Sequence, residues 1–228
     1  MERPIKRIGR AGLLIMLIPL VFWGCASERI TTLTNPAIAS VKVERIAVMP
    51  FFKGRHPTNV RDTIKCALCN LSFDPKKVAI GAEETLTRYV YQALKARFGE
   101  RLIPLERAAQ VYRMIPKDER RDTPITLARR VGEALGANLV VLGTVWRYQH
   151  REGSPAGASR PASVAFDLYL VEVKSGELLW MANYDETQRS LSENIFEAAA
   201  FFRRGAKWLS ANELARFGAM ETIKKLPL

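Results

Sequence analysis

Residues 137–190 read ANLVVLGTVWRYQHREGSPAGASRPASVAFDLYLVEVKSGELLWMANYDETQRS, and this stretch decides the fold. Three runs rich in Val, Leu, Phe, Tyr and Trp, at 137–149, 163–173 and 178–190, are separated by turn chemistry. Lys174-Ser175-Gly176-Glu177 is short enough for a hairpin connection, and Gly176 can take the positive φ that such turns demand. Gly153 to Pro161 carries Gly, Ser, Pro and Ala with little bulk, which predicts a mobile loop between paired strands. The pattern is that of a three-stranded antiparallel meander. In the middle run Val164, Phe166, Leu168 and Leu170 alternate onto one face. Ala165, Tyr169, Val171 and Val173 make the other face apolar too, interrupted by Asp167. A sheet apolar on both faces must be covered on both.

The flanking sequence supplies the covers. From Glu83 to Phe98, Leu86, Val90, Leu94 and Phe98 recur every fourth residue. Glu83 and Glu84 lie in the first turn, and Lys95 and Arg97 in the last, as the helix dipole favours. Gly99 ends this helix. A second helix is expected over Glu106 to Ile115. Thr123-Pro124, an N-cap followed by Pro at N1, opens a third that runs through Leu127, Val131 and Leu135 to Gly136. Ser190-Leu191-Ser192-Glu193 and Ser210-Ala211-Asn212-Glu213 are capping boxes that open helices at about 193–204 and 211–225. Arg45 to Phe51 reads as a short buried strand stopped by Pro50, and Arg101 to Leu105 as a short strand near an edge. The expected fold is therefore a single α/β domain over 45–228. It has a mixed sheet of about five strands, including the meander, and helices on both faces. The length of 228 residues suits one domain, and no internal repeat is visible.

The first residues have a different character. Residues 1–10 are basic, residues 11–23 form the apolar run AGLLIMLIPLVFW, and Gly24-Cys25 follow. The run is shorter than the roughly 20 residues that span a bilayer, and Pro19 interrupts it. The order resembles a secretory signal peptide ending in a bacterial lipobox, Phe22-Trp23-Gly24-Cys25, with Cys25 lipidated as the new amino terminus; an uncleaved signal anchor with a chance cysteine is the other reading. Ala26 after the cysteine resembles the signal for the outer membrane in enteric bacteria. Residues 25–44, small, polar and interrupted by Pro, read as a flexible tether. The net charge is +12; the leader contributes four bases against Glu2, so residues from 25 onward retain +9.

Residues 52–80 join strand to helix through about 29 residues, where about 2–6 would suffice. Such length suggests a recognition loop. It is basic, with Lys53, Arg55, Arg61, Lys65, Lys76 and Lys77 against Asp62 and Asp74, and Phe52, Leu71 and Phe73 could anchor a contact. Phe52, Arg55, Arg61, Phe73, Lys76 and Lys77 are the candidate partner-binding residues. The loop also holds Cys66-Ala67-Leu68-Cys69. Haem attachment needs His after the second cysteine, and position 70 is Asn. Zinc needs two further ligands, and only His56 and His150 exist. A redox pair should open a helix. A Cys66–Cys69 disulfide in an oxidising compartment is the plainest reading, with two free thiols as the other. No metal or cofactor is expected.

The order of elements resembles a group of bacterial envelope domains: the amino-terminal domain of TolB, the curli secretion lipoproteins and the lipoprotein activators of penicillin-binding proteins. The resemblance rests on RIAVMPF (45–51), the helix from Glu83 to Phe98, ALGANLVVLGTV (134–145) and DLYLVEVKSGELLW (167–180), and covers about residues 45–190. It implies a protein that binds a protein partner as adaptor, regulator or assembly subunit.

The residues agree with a non-enzymatic role. There is no G-x-S-x-G, no H-E-x-x-H and no P-loop. Asp167, Asp185 and Glu186 could supply a carboxylate pair, although solvated or ion-paired strand residues explain them as well. Bases cluster at Arg113, Lys117, Arg120, Arg121, Arg129 and Arg130, and at Arg203, Arg204 and Lys207. They are a solvated face or an attraction for anionic headgroups or envelope polymers. Trp180, Trp208, Phe201 and Phe202 read as core, with a ligand platform as the other reading. The expected partners are a membrane, through lipid, and an envelope protein, with no nucleic acid. The alternatives are a periplasmic thiol–disulfide protein using Cys66 and Cys69, or a secretion-complex subunit.

Overall fold

The computed structural model describes residues 29–52, 64–65, 68, 72–118, 121–188 and 207–228. Cys25, Arg55, Arg61, Cys66, Cys69 and the helix expected at 193–204 lie outside the described residues. The main sheet has five strands, in the order β1 (Ile30–Thr34), β9 (Leu178–Thr187), β8 (Ser163–Glu172), β5 (Leu139–Gln149) and β2 (Ile46–Val48). β2 runs parallel to β5, and the other neighbours are antiparallel. The expected mixed α/β domain with a five-stranded sheet is the one observed.

Alternation along β8 sorts its side chains as the sequence predicts. Val164, Phe166, Leu168 and Leu170 are wholly buried on one face, in one cluster with Leu86, Val90 and Leu94 of α1 (Ala82–Phe98) and Leu214 and Ala215 of α4 (Ala211–Lys224). Tyr169, Val171 and Val173 join Leu127, Ala128 and Val131 of α3 (Pro124–Leu135) and Ala108 of α2 (Leu105–Met114) on the other. The caps act as read. The Thr123 side chain accepts from the Thr126 amide, Ser210 accepts from the Glu213 amide, and Gly136 ends α3 at φ 62°. Gly218 lets α4 close on the sheet, because a Cβ there would lie 2.5 Å from the Tyr184 ring.

Three local readings change. The expected tether is partly folded: Ile30 to Thr34 pair with Tyr184 to Trp180, and Pro36 to Ser40 form a 3₁₀ turn. Four of the five β1 side chains are exposed. Its Thr-rich composition looks polar yet has strand propensity, and an edge strand needs little more. The β5–β8 connection is not a plain meander turn, because β6 (Glu152–Gly153) and β7 (Ala158–Arg160) form their own small ladder. Gly153 at φ 106° and the Ser154 amide donating to the Gly157 carbonyl at 2.8 Å close its turn. Finally, Arg101 to Leu105 is not a strand. A 3₁₀ turn at Gly99–Arg101 leads to a single parallel bridge, Leu102 to Ile46, and Pro104 then precedes α2.

Candidate functional site

The two helical layers do not cover the sheet equally. On the α2–α3 face the apolar core stops at Tyr169. Beyond it the same face turns polar, and the row Thr144, Asp167, Asn183 crosses β5, β8 and β9. In the next row Ala165 pairs with Asp185, and a bulge interrupts β5 between Val145 and Arg147. A bulge re-aims side chains, and here both Trp146 and Arg147 line the polar face.

This polar half is the floor of a cleft of about 750 Å³. Its walls on the sheet are Trp146, Arg147, Ala165, Asp167, Met181, Asn183 and Asp185; the opposing side is Leu68, Ser72, Asp74 and Lys77 of the long loop. The loop is fixed over the floor at both ends. The Phe52 amide donates to the Gly143 carbonyl at 2.9 Å, and the Ala79 amide to the Tyr148 carbonyl at 3.0 Å. Both ends therefore run along β5, in line with β2. Between them β3 (Ile64–Lys65) and β4 (Ser72–Phe73) pair antiparallel, and a 3₁₀ turn at Pro75–Lys77 follows.

Asp167 is the buried charge of the floor, only 2% exposed. Tyr169 donates its hydroxyl to Oδ2 at 2.8 Å, and Asn183 Nδ2 donates to Oδ1 at 2.9 Å. Burial raises the Asp167 pKa to about 6, against the opposing pull of those hydrogen bonds. Burial, and then the neighbouring Asp167, push the Tyr169 hydroxyl upward too. Asp185 is more open and pairs with Arg147, whose guanidinium also donates to Ser163 Oγ and Thr187 Oγ1. Glu186 is not part of this group. It points to the other face, where it accepts from the Tyr184 hydroxyl at 2.7 Å and lies 3.5 Å from Arg29. Among the described residues no group of three or more His, Cys, Asp or Glu could hold a metal, and no helix is long and apolar enough to cross a membrane.

The sequence candidates separate accordingly. Lys77 lines the cleft, and Lys76 is exposed beside it. The Phe52 ring packs edge-on to Tyr112, 6.2 Å between centroids. Phe73 lies in β4. Trp146, Arg147 and Asn183 escape a reading of the sequence, because a bulge is invisible to a period-2 pattern. The repeat of polar residues at Asp167 and, across the hairpin, at Asn183 and Asp185 is the trace they leave. Much of the basic surplus is engaged in the fold. Arg130 pairs with Asp122 at 3.1 Å, Arg129 Nε donates to the Val173 carbonyl at 3.0 Å, and Lys117 stands 4.4 Å over the Tyr112 ring. Trp180 is core, 1% exposed.

No protein-family model matches the chain, and no curated protein matches it. Solved structures of similar fold include the PelC dodecamer from Paraburkholderia phytofirmans, at 12% identity and a TM-score of 0.46 over 85% of this chain and 93% of that one. Lipoprotein GNA1162 from Neisseria meningitidis is 12% identical, with a TM-score of 0.41 over 70% of this chain and 95% of that one. The LpoB C-terminal domain from Escherichia coli is 14% identical, with a TM-score of 0.33 over 64% of this chain and 84% of that one. At such identities the likeness concerns the fold alone.

Proposed function

We propose that this chain is a lipid-anchored lipoprotein of the bacterial envelope, held on the outer membrane facing the periplasm, that binds a protein partner through the cleft between the sheet and the long loop. The observation that carries the reading is the uncovered polar half of the sheet, with a loop fixed at both ends over it. A fold that needed only stability would cover that half with an apolar helix face, as it covers the other half. Here the floor instead presents an indole, a guanidinium, an amide and the Asp185 carboxylate, with the Asp167 carboxylate buried among them. Large amphipathic and charged groups of this kind carry recognition. The basic, apolar, Gly24-Cys25 order supports the anchor. A Cys66–Cys69 bridge would stiffen the middle of the loop and lower the ordering cost of binding.

The experiment pairs the anchor with the loop. Labelled palmitate should enter the wild-type chain but not Cys25→Ser, and that variant should leave the membrane fraction. Replacing Cys66 and Cys69 by Ser should weaken partner capture and leave the melting temperature within a few degrees, since closing so short a loop contributes only about 2 kcal/mol. Equal palmitate labelling of both chains would refute the anchor, and full capture by the serine variant would refute the role given to the bridge.

A further inference from the structure

Three residues, Ala26, Ser27 and Glu28, separate Cys25 from Arg29. Arg29 is already part of the fold, since its carbonyl oxygen accepts from the Asp185 amide at 3.0 Å. Ile30 follows as the first residue of β1, paired with Tyr184, and its carbonyl oxygen accepts from Lys225 Nζ at 3.2 Å. Four residue steps span at most about 14 Å when fully extended, whereas a domain of this size is roughly 40 Å across. A chain lipidated at Cys25 therefore cannot hold the domain away from the bilayer. The surface around Arg29 must meet the headgroups.

That surface is the outer edge of β1 together with the chain after α4. Thr31 to Thr34 are all exposed, and Leu33 is 66% exposed. The strand has no charge, proline or bulge of the kind that usually guards an unpaired edge. Beside it lie Lys224 and Lys225. Met220, 44% exposed, lines a shallow apolar groove with Arg97 between α1 and α4. The described ionisable groups around the chain's point of emergence are Arg29, Arg97, Arg147, Lys224 and Lys225 against Asp185, Glu186 and Glu221. Three of the bases pair with those acids, Arg97 donates to the Ile223 and Leu228 carbonyl oxygens, and Lys225 donates to the Ile30 carbonyl oxygen, so the surface is polar and close to charge balance.

We propose that the β1 edge and the adjoining residues 224–228 are a membrane-contact surface for phospholipid headgroups. The domain then lies against the bilayer on its β1 side. The cleft, whose rim residue Asp185 is hydrogen-bonded to Arg29, opens beside the membrane, so its partner is met at the membrane surface. This inference rests on the reading of Cys25 as the lipidated residue.

The test uses the full-length acylated chain in vesicles of phosphatidylethanolamine and phosphatidylglycerol. A photoreactive benzophenone amino acid replaces Thr32 on β1 or, in a second preparation, Arg101, exposed next to Leu102, which bridges β2 at the opposite edge of the sheet. Palmitate incorporation is measured first, and its absence would overturn the inference together with the lipoprotein reading. With palmitate present, lipid adducts are expected at Thr32 and not at Arg101. Equal lipid adducts at the two positions, no lipid adduct at Thr32, or an adduct of Thr32 with a second copy of the chain would each overturn the headgroup contact and leave the anchor standing.

Discussion

The hydroxyl of Tyr169 donates to Asp167 Oδ2 at 2.8 Å, two residues away on the same strand. Residues two apart share a face, so this bond crosses the seam where the apolar, helix-covered half of the sheet meets its open polar half. The Tyr169 ring belongs to the core under α2 and α3, and its hydroxyl supports the floor of the cleft.

That seam predicts a pH dependence. The Asp167 pKa in the fold is about 6, above its ordinary 3.8, because burial disfavours the anion. The native state thus binds more protons than the unfolded chain between these values. The contribution of Asp167 to stability is largest below about pH 4, falls as pH rises, and is lost above about pH 6. Asp167→Asn should remove this slope and raise stability at pH 7.5 by up to roughly 3 kcal/mol. Denaturant melts of both proteins at pH 4, 5, 6 and 7.5 check it, and parallel curves would count against it.

Phe166 is fully buried and lies 5.1 Å from the Tyr184 ring, centroid to centroid. Phe166→Ala should lose about 3–5 kcal/mol. A loss under about 1 kcal/mol in denaturant melts would mean that this register is wrong.

The register of β8 was legible because period-2 alternation carries it residue by residue, and Val164 to Val173 sort onto the two faces as the pattern requires. The caps at Thr123 and Ser210 were legible for a similar reason: their chemistry is local. The cleft was not. It depends on which half of one face the helices leave bare, and that is a tertiary outcome. It also depends on the β5 bulge, which moves Trp146 and Arg147 to the same side without changing the composition of the strand. β1 was hidden because ITTLT has one buried side chain, and its pairing with β9 is decided some 150 residues later in the sequence.

Gly143 predicts a steric penalty. A Cβ there would lie 2.5 Å from the Phe51 ring and 2.8 Å from the Asp167 carbonyl oxygen. Gly143→Ala should lose about 1–3 kcal/mol. Gly157→Ala, where nothing lies within 4 Å, should change little when both variants are compared in denaturant melts. Equal effects at the two sites would contradict the packing described.

The capping box of α4 predicts an acid response. The bond from Lys207, followed by the Ser210 amide, lowers the Glu213 pKa to about 2. Its contribution is therefore present above the ordinary carboxylate range and lost as pH falls through about 2. Ser210→Ala should lose about 1 kcal/mol at neutral pH. Glu213→Gln should flatten the acid limb of the stability curve, and an unchanged limb would speak against the box.

Recognition at the cleft is tested most directly by placing a benzophenone amino acid at Lys77, on the loop side, and irradiating the intact envelope. The account predicts one discrete protein adduct, absent when the probe is at Lys174 and strongly reduced by Trp146→Ala on the cleft floor, with the melting temperature of that variant preserved. The same adducts from Lys77 and Lys174, or a full yield in Trp146→Ala, would contradict it.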